Sequence, residues 1–237
     1  MKVTRRFRFS ACHYLVNRNW TEDKNKEVFG KSVNPHGHNF EVFVTVEGEV
    51  NPETGMVINL EKLKEIVAPV VDRLDHKCLN DLDEFKEKLP TLENIAMYIF
   101  SEASKKLPGI SSVLVKTGED EFAVCTRDDV LSGFTHRISA SHRLPEERVK
   151  SSDVYGICGK EKHGHDYSIT IWLKGRADFQ KIRELLNELN FKDLDAVLPF
   201  STSEYLALHI AKILGEEFQV KKIEVMETEN NRVTYEL

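Results

Sequence analysis

The sequence is poor in the features that mark several protein classes. Four cysteines occur in 237 residues, at 12, 78, 125 and 158, and none stands in a CxxC pair. A disulfide framework is therefore not expected, and a reduced, cytoplasmic setting is the economical reading. No apolar run approaches the ~18 residues that a membrane-spanning helix needs, so no membrane association is expected. Met1-Lys2-Val3-Thr4-Arg5-Arg6 leads into no apolar core, and a secretory leader is not expected. Net charge is −6 and no basic stripe with interleaved aromatics is present, which argues against nucleic acid as a partner. Abundant Lys and Glu beside few Met and Cys also suits a thermophile. The remainder, 30% charged and 41% hydrophobic, is the composition of an ordinary globular protein.

What the chain does have is a repeat. Pro35-His36-Gly37-His38-Asn39-Phe40 returns as Lys162-His163-Gly164-His165-Asp166-Tyr167. Each copy opens a run of alternating apolar residues, Phe40, Val42, Val44 and Val46 or Tyr167, Ile169 and Ile171. That period places each HGH at the head of a strand, where residues i and i+2 share a face and both imidazoles aim at one point. The intervening glycine adds no side chain to crowd that point. Two convergent histidines are two-thirds of a His₃ zinc site. The third lies upstream: Phe9-Ser10-Ala11-Cys12-His13-Tyr14-Leu15 matches Ile138-Ser139-Ala140-Ser141-His142-Arg143-Leu144. A lone HxH is a weak signal; the same order of three histidines, twice, with matching flanks, is a strong one. The candidate metal ligands are His13, His36 and His38, and His142, His163 and His165.

Periodicity divides the chain into two halves, 1–127 and 128–237, at the polar Thr126-Arg127-Asp128-Asp129. In the first, strands are expected over 2–15 and 38–48, with a long polar loop over 16–35. Asn59 caps a helix carrying Leu63, Ile66, Val67, Val70 and Val71 on one face. Pro69 predicts a kink or break in it. Thr91 caps a second helix ending before Pro108-Gly109, and strands close the half near 113–115 and 122–125. The second half repeats this with strands near 132–144 and 165–175, helices over 178–190 and 202–214, and strands over 223–227 and 232–235. Ser201 and Glu204 are spaced as a capping box. Each half reads β-β-α-α-β-β, an antiparallel sheet with two helices on one face, and the class is α+β.

Taken together, Phe9-Ser10, Phe29-Gly30-Lys31, HGHNF, Gly55-Met56-Val57, Leu74-Asp75-His76 and Thr91-Leu92-Glu93-Asn94 resemble 6-pyruvoyltetrahydropterin synthase. Its relative 6-carboxytetrahydropterin synthase, of queuosine biosynthesis, carries the same marks. The resemblance spans nearly the whole chain as two tandem copies. It implies a tunnelling fold (T-fold), whose units assemble side by side into a barrel, and hence a homo-oligomer. It also implies a zinc lyase acting on 7,8-dihydroneopterin triphosphate, in tetrahydrobiopterin or queuosine biosynthesis.

Carried over residue by residue, the family's zinc histidines match both triads, with Zn²⁺ as the cofactor. Its catalytic cysteine matches Cys158 in Tyr155-Gly156-Ile157-Cys158-Gly159, whereas the first half has Ser32. Its Asp-His pair matches Asp75 and His76; Leu194-Asp195-Ala196 is taken as the counterpart in the second half, without the histidine. Its pterin-anchoring glutamate matches Glu227, and the first half has Lys116 or Thr117 there. Thr202 and Ser203 match a segment near the pterin. Arg143, Lys160 and Lys162 are candidate triphosphate contacts. Plainer roles exist for single residues: Asp75-His76 closing a helix, Cys158 as a structural thiol, Glu93 and Glu204 as helix-start charges. Cys12 faces away from the metal side of its strand, and Cys78 and Cys125 have no partner pattern. The losses are complementary, which points to a hybrid site: zinc, Cys158 and Glu227 from the second half, Asp75-His76 from a first half. The product is 6-pyruvoyl- or 6-carboxytetrahydropterin. The alternative is a non-catalytic pterin- or metal-binding protein derived from a duplicated synthase.

Overall fold

The structure, a computed structural model, describes residues 1–118, 120–144, 157–175, 179–215 and 217–237, with the backbone alone at 157 and 160. Tyr155 and Gly156 of the cysteine motif lie outside the described residues. The chain divides into two compact units, Met1–Ser132 and Gly133–Leu237. The expected division after residue 127 falls in the turn between two strands, five residues before this one.

In the first unit, strand β1 (Lys2–His13) pairs antiparallel with β2 (His36–Glu47), and β2 with β4 (Ile110–Thr117), which pairs with β5 (Glu121–Thr126). Alternation decides which side of this sheet is dry. Phe40, Val42, Val44 and Val46 of β2 and Phe9 and Ala11 of β1 are buried on one face, under helices α2 (Leu60–Asp72) and α3 (Leu92–Ser104). The helices contribute Leu63, Val67 and Val71, and Ile95, Ala96, Ile99 and Ala103, the 3–4 spacing of one helix face. Asn59 and Thr91 cap them as expected, accepting from Glu61 and Lys62 N–H and from Asn94 N–H.

The structure departs from the sequence reading at three places here. The segment taken as a loop over 16–35 contains helix α1 (Glu22–Phe29), capped by Thr21; its polar surface carries no apolar period for a sequence reading to find. Of the kink or break expected at Pro69, the break does not occur: α2 runs through it to Asp72. And a two-residue strand β3 (Lys77–Cys78), too short to show a period, pairs parallel with β1, opposing Cys78 to Cys12.

The second unit holds β6 (Val130–His142) from Gly133 onward, the short helix α4 (Ile157–Lys160), β7 (His163–Lys174), α5 (Phe179–Asn187), α6 (Ser203–Leu214), β8 (Val220–Thr228) and β9 (Asn231–Glu236). The sheet order is β6-β7-β8-β9, and the β7–β8 and β8–β9 pairs are antiparallel. Strand β7 repeats the burial of β2 residue for residue. Tyr167, Ile169, Ile171 and Leu173 pack against Ile182 and Leu186 of α5 and Leu206 and Ile210 of α6. The cap of α6 is Thr202, which accepts from Tyr205 N–H; the Ser201/Glu204 box does not form, because the helix starts one residue later and the Ser201 hydroxyl turns to Asp195 instead. Each unit has the expected α+β class. Among the described residues no helix is long and apolar enough to cross a membrane.

Candidate metal centres and the residues around them

The two histidine triads form. In each, three ring nitrogens gather within 4.8 Å of one another, a group that could hold a metal ion. Strand alternation supplies the i, i+2 pair on β2 or β7, and the neighbouring strand brings the third ring from its last residue: His13 pairs with His36 in the β1–β2 register. The glycine between the pair acts differently from expectation. It points away from the metal side, against the adjacent strand: a Cβ on Gly164 would stand 2.8 Å from the Ala140 carbonyl oxygen, and one on Gly37 3.4 Å from that of Ala11.

The proton positions are fixed by the neighbours. His13 Nδ1 lies 2.7 Å from the Pro90 carbonyl and His36 Nδ1 2.7 Å from that of Asn34. In the second unit His142 Nδ1 is 2.7 Å from the Ser201 carbonyl and His163 Nδ1 2.9 Å from that of Glu161. A carbonyl only accepts, so each Nδ1 carries a hydrogen, and in the neutral ring each Nε2 presents a lone pair. Backbone carbonyls fix metal-binding histidines elsewhere in this way. His13 Nε2 is then buried with no hydrogen-bond partner. His142 Nε2 faces His163 Nε2 at 3.2 Å, and with both rings neutral no proton lies between them. Tetrahedral nitrogens around an ion at about 2.0–2.1 Å stand roughly 3.3 Å apart, so a cation resolves both observations. Burial, reinforced by repulsion from His36 and His38, lowers the pKa of His13 to about 4. Burial also lowers His38 and His165. Neutral rings suit metal ligation.

Matching hydrogen bonds fix which residues of the two repeats correspond. Leu15 N–H donates to the Ser32 carbonyl at 2.8 Å, and Leu144 N–H to the Cys158 carbonyl at 2.9 Å; Ser32 is therefore the counterpart of Cys158. Val42 opposes Val115 on β4, and Ile169 opposes Val225 on β8. Two residues further along lie Thr117 and Glu227, which settles the slot left open between Lys116 and Thr117. The third match is a correction. Asp75 Oδ1 accepts from Ser10 N–H at 2.8 Å and His76 N–H donates to the Ser10 carbonyl. In the second unit the same two bonds to Ser139 are made by Asn190 Oδ1 and by Phe191 N–H. The backbone matches too: φ is 54° at His76 and 56° at Phe191. Asp195 instead receives Arg143 N–H, as Asn80 receives Tyr14 N–H. The counterpart of Asp75-His76 is thus Asn190-Phe191. Leu74-Asp75 and Leu194-Asp195 share letters, but the matching segments are Leu-Asp-His-Lys-Cys-Leu at 74–79 and Leu-Asn-Phe-Lys-Asp-Leu at 189–194.

A side chain held left-handed costs about 1–2 kcal/mol, and here two bonds to a neighbouring strand hold the turn in each repeat. The turn projects its side chain outward: the His76 side chain is 81% exposed and Phe191 is 84% exposed. His76 Nδ1 sits 2.8 Å from Asp75 Oδ2, and the Ser10 N–H and His76 hold the Asp75 carboxyl below its usual range.

In the second unit Glu227 lies against the triad, Oε1 being 3.5 Å from His142 Nε2 and 3.4 Å from His165 Nε2. Tyr167, which replaces Phe40 below the rings, is fully buried. Burial and then the Glu227, Cys158 and Asp195 charges push its phenol upward, so thiol, carboxylate and phenol share one neighbourhood. In the sequence Tyr167 reads only as part of the apolar alternation; the Phe-to-Tyr change between repeats is the signal of a further role. Ser203 Oγ is buried without a partner, two residues after the carbonyl that holds His142. Thr202 is occupied as the helix cap. Lys162 is ion-paired with Asp193, and the side chain of Lys160 lies outside the described residues.

Two tandem α+β units, each with a histidine triad suited to a metal ion, define the class of protein. The family model of 6-pyruvoyl tetrahydropterin synthase matches residues 2–128 and again 133–237, and the chain belongs to that family. A 6-pyruvoyl tetrahydrobiopterin synthase of Poecilia reticulata is 46% identical over 110 residues, 45% of this chain and 75% of that protein. A putative 6-carboxy-5,6,7,8-tetrahydropterin synthase of Archaeoglobus fulgidus is 44% identical over 92 residues, 39% of this chain and 76% of that protein. The solved Caenorhabditis elegans 6-pyruvoyl tetrahydropterin synthase superposes with a TM-score of 0.51 at 32% identity, covering 53% of this chain and 94% of that one.

Proposed function

We propose that the chain is a zinc-dependent lyase converting 7,8-dihydroneopterin triphosphate to a 6-substituted tetrahydropterin, 6-pyruvoyl or 6-carboxy. The observation that carries this reading is the complementarity of the three matched positions. The second repeat keeps Cys158 and Glu227 where the first has Ser32 and Thr117; the first keeps Asp75-His76 where the second has Asn190-Phe191. One full set exists per chain, divided between repeats.

Each working site is then a hybrid. His142, His163 and His165 hold zinc, which when bound lowers the pKa of a substrate hydroxyl. Cys158, as thiolate, takes the carbon-bound proton beside that hydroxyl. Glu227 accepts hydrogen bonds from N–H groups of the pterin, a task suited to a carboxylate. The unpartnered Ser203 hydroxyl, beside Thr202, supports a substrate contact there. Asp75 orients His76 and stabilises its protonated form, as carboxylates do for catalytic imidazoles. A first repeat of a neighbouring chain in a homo-oligomeric barrel would supply the pair, and the outward projection of His76 supports that. His13, His36 and His38 would bind metal without turnover, because Ser32 and Thr117 offer neither thiolate nor carboxylate.

The test is incubation of the zinc-loaded chain with 7,8-dihydroneopterin triphosphate, with products identified by mass spectrometry. A 6-pyruvoyl or 6-carboxy product that disappears in Cys158→Ala is expected and names the branch. Tight pterin binding without turnover would replace this reading with that of a binding protein. Active mixtures of Cys158→Ala and Asp75→Ala/His76→Ala chains are compatible with a site shared between chains; mixtures and single chains alike retaining full activity would refute it.

A further inference from the structure

We propose that Cys12 and Cys78 form a disulfide-forming dithiol site in the first repeat, oxidised by low-molecular-weight disulfides such as oxidised glutathione. The two residues are register partners in the parallel β1–β3 pair. Neighbouring strands run about 4.8 Å apart, inside the Cα separation that a disulfide spans. Partners in such a pair point to the same face, and the Cys12 thiol is close enough to help push the Cys78 thiol up, after burial. Both are free and half-exposed, so a small disulfide can reach them. Cys125, by contrast, is buried.

The second repeat supplies an internal comparison. Ser141 and Asp193 make the equivalent parallel bridge. The contact between these two positions therefore recurs in both repeats, while the thiol pair is confined to the first. Oxidation proceeds by exchange. One thiol attacks the small disulfide, forming a mixed disulfide and releasing one small thiol. The second protein thiol displaces the other small thiol and closes the Cys12–Cys78 bond. Two electrons and two hydrogens pass from the protein to the small disulfide. The new bond ties β3 to β1 one residue from His13 and two from His76, and so clamps the turn that presents the Asp75-His76 pair.

The experiment treats the full chain with oxidised glutathione, alkylates the remaining thiols and maps the peptides by mass spectrometry. The expected result is a linked Cys12–Cys78 peptide pair with Cys125 and Cys158 alkylated, so that two of the four cysteines become unreactive. The link vanishes in Cys12→Ser. Thermal melting should show a reductant-reversible rise for the parent chain and none for Cys12→Ser/Cys78→Asp, which copies the second repeat; Cys78→Ala makes the same comparison if the double variant fails to fold. Stable glutathione adducts without the link, linkage to Cys125 or Cys158, cross-linked chains, or a link that lowers the melting temperature would each overturn the proposal.

Discussion

The two HGH glycines offer one mutation with two different outcomes. An alanine Cβ at position 164 would meet the Ala140 carbonyl oxygen at 2.8 Å and Ser141 Cα at 3.4 Å. Both are backbone atoms of β6 and no side chain can swing clear. To reach an ordinary 3.4 Å contact the strands must part locally by 0.6 Å, at the residue between two metal ligands. Overpacking of this kind costs about 1–3 kcal/mol. For a unit of this size that is on the order of 5–20 °C in melting temperature. At Gly37 the same Cβ already sits at 3.4 Å and no positive φ is involved, so Gly37→Ala should stay within about 0.5 kcal/mol of the parent. Each repeat has one tryptophan, Trp20 or Trp172, which allows the two to be followed separately. Thermal unfolding of Gly164→Ala in a Trp20→Phe background should lose the predicted stability, and cobalt titration should weaken at the second triad. In a Trp172→Phe background Gly37→Ala should leave both readouts unchanged. Equal effects in the two repeats, or a larger effect at Gly37, would refute the packing account.

Three other outcomes follow from the same geometry. The folded-state pKa of His13, about 4, lies below its unfolded value of 6.5, so the unfolded chain takes the proton first; metal-free stability should be full above pH 6.5, fall by up to about 3 kcal/mol as pH drops to 4, and level off below. Urea midpoints across that range should show a clearly smaller fall in His13→Gln than in the parent, the remainder coming from the buried His38 and His165. Asp75→Asn should preserve the fold, because Asn190 accepts the equivalent bond from Ser139, yet reduce turnover by roughly 10²–10⁴-fold through loss of the anion beside His76; a melting temperature that collapses, or activity that survives, contradicts this. Glu227→Gln should keep zinc bound in the second triad while abolishing product formation, measured by metal analysis and mass spectrometry on one sample; loss of zinc instead would make the carboxylate a requirement for metal binding.

Much of this was legible in the sequence because it rests on alternation and on chemistry-bearing residue types. Period two on β2 and β7 placed the histidines on one face, and 3–4 spacing placed α2 and α3. What stayed hidden has physical causes. Helix α1 buries little beyond Asn25 and Phe29 and so carries no apolar stripe. Strand β3 has two residues, and its pairing with β1 exists only in three dimensions. For that reason Cys78 looked solitary. The role of the HGH glycines was misread because a missing side chain can relieve either face of a strand, and only the neighbour at Ala140 or Ala11 says which. The counterpart of Asp75-His76 was missed because letter similarity outweighed the left-handed turn that Asp75 and His76 share with Asn190 and Phe191.

That turn bears on whether the second copy is a working half or a decaying one. A copy released from constraint has no reason to keep a bulky residue at φ 56°, 84% exposed, held by the same two bonds as its counterpart in the first repeat. Nor does unconstrained drift account for the direction of the three differences. Thiol and carboxylate sit in the repeat whose triad they would serve, and the Asp-His pair, which projects outward, sits in the other. A division of labour needs this partition: groups that touch the bound metal and substrate stay with one repeat, and the group delivered from outside stays with the other.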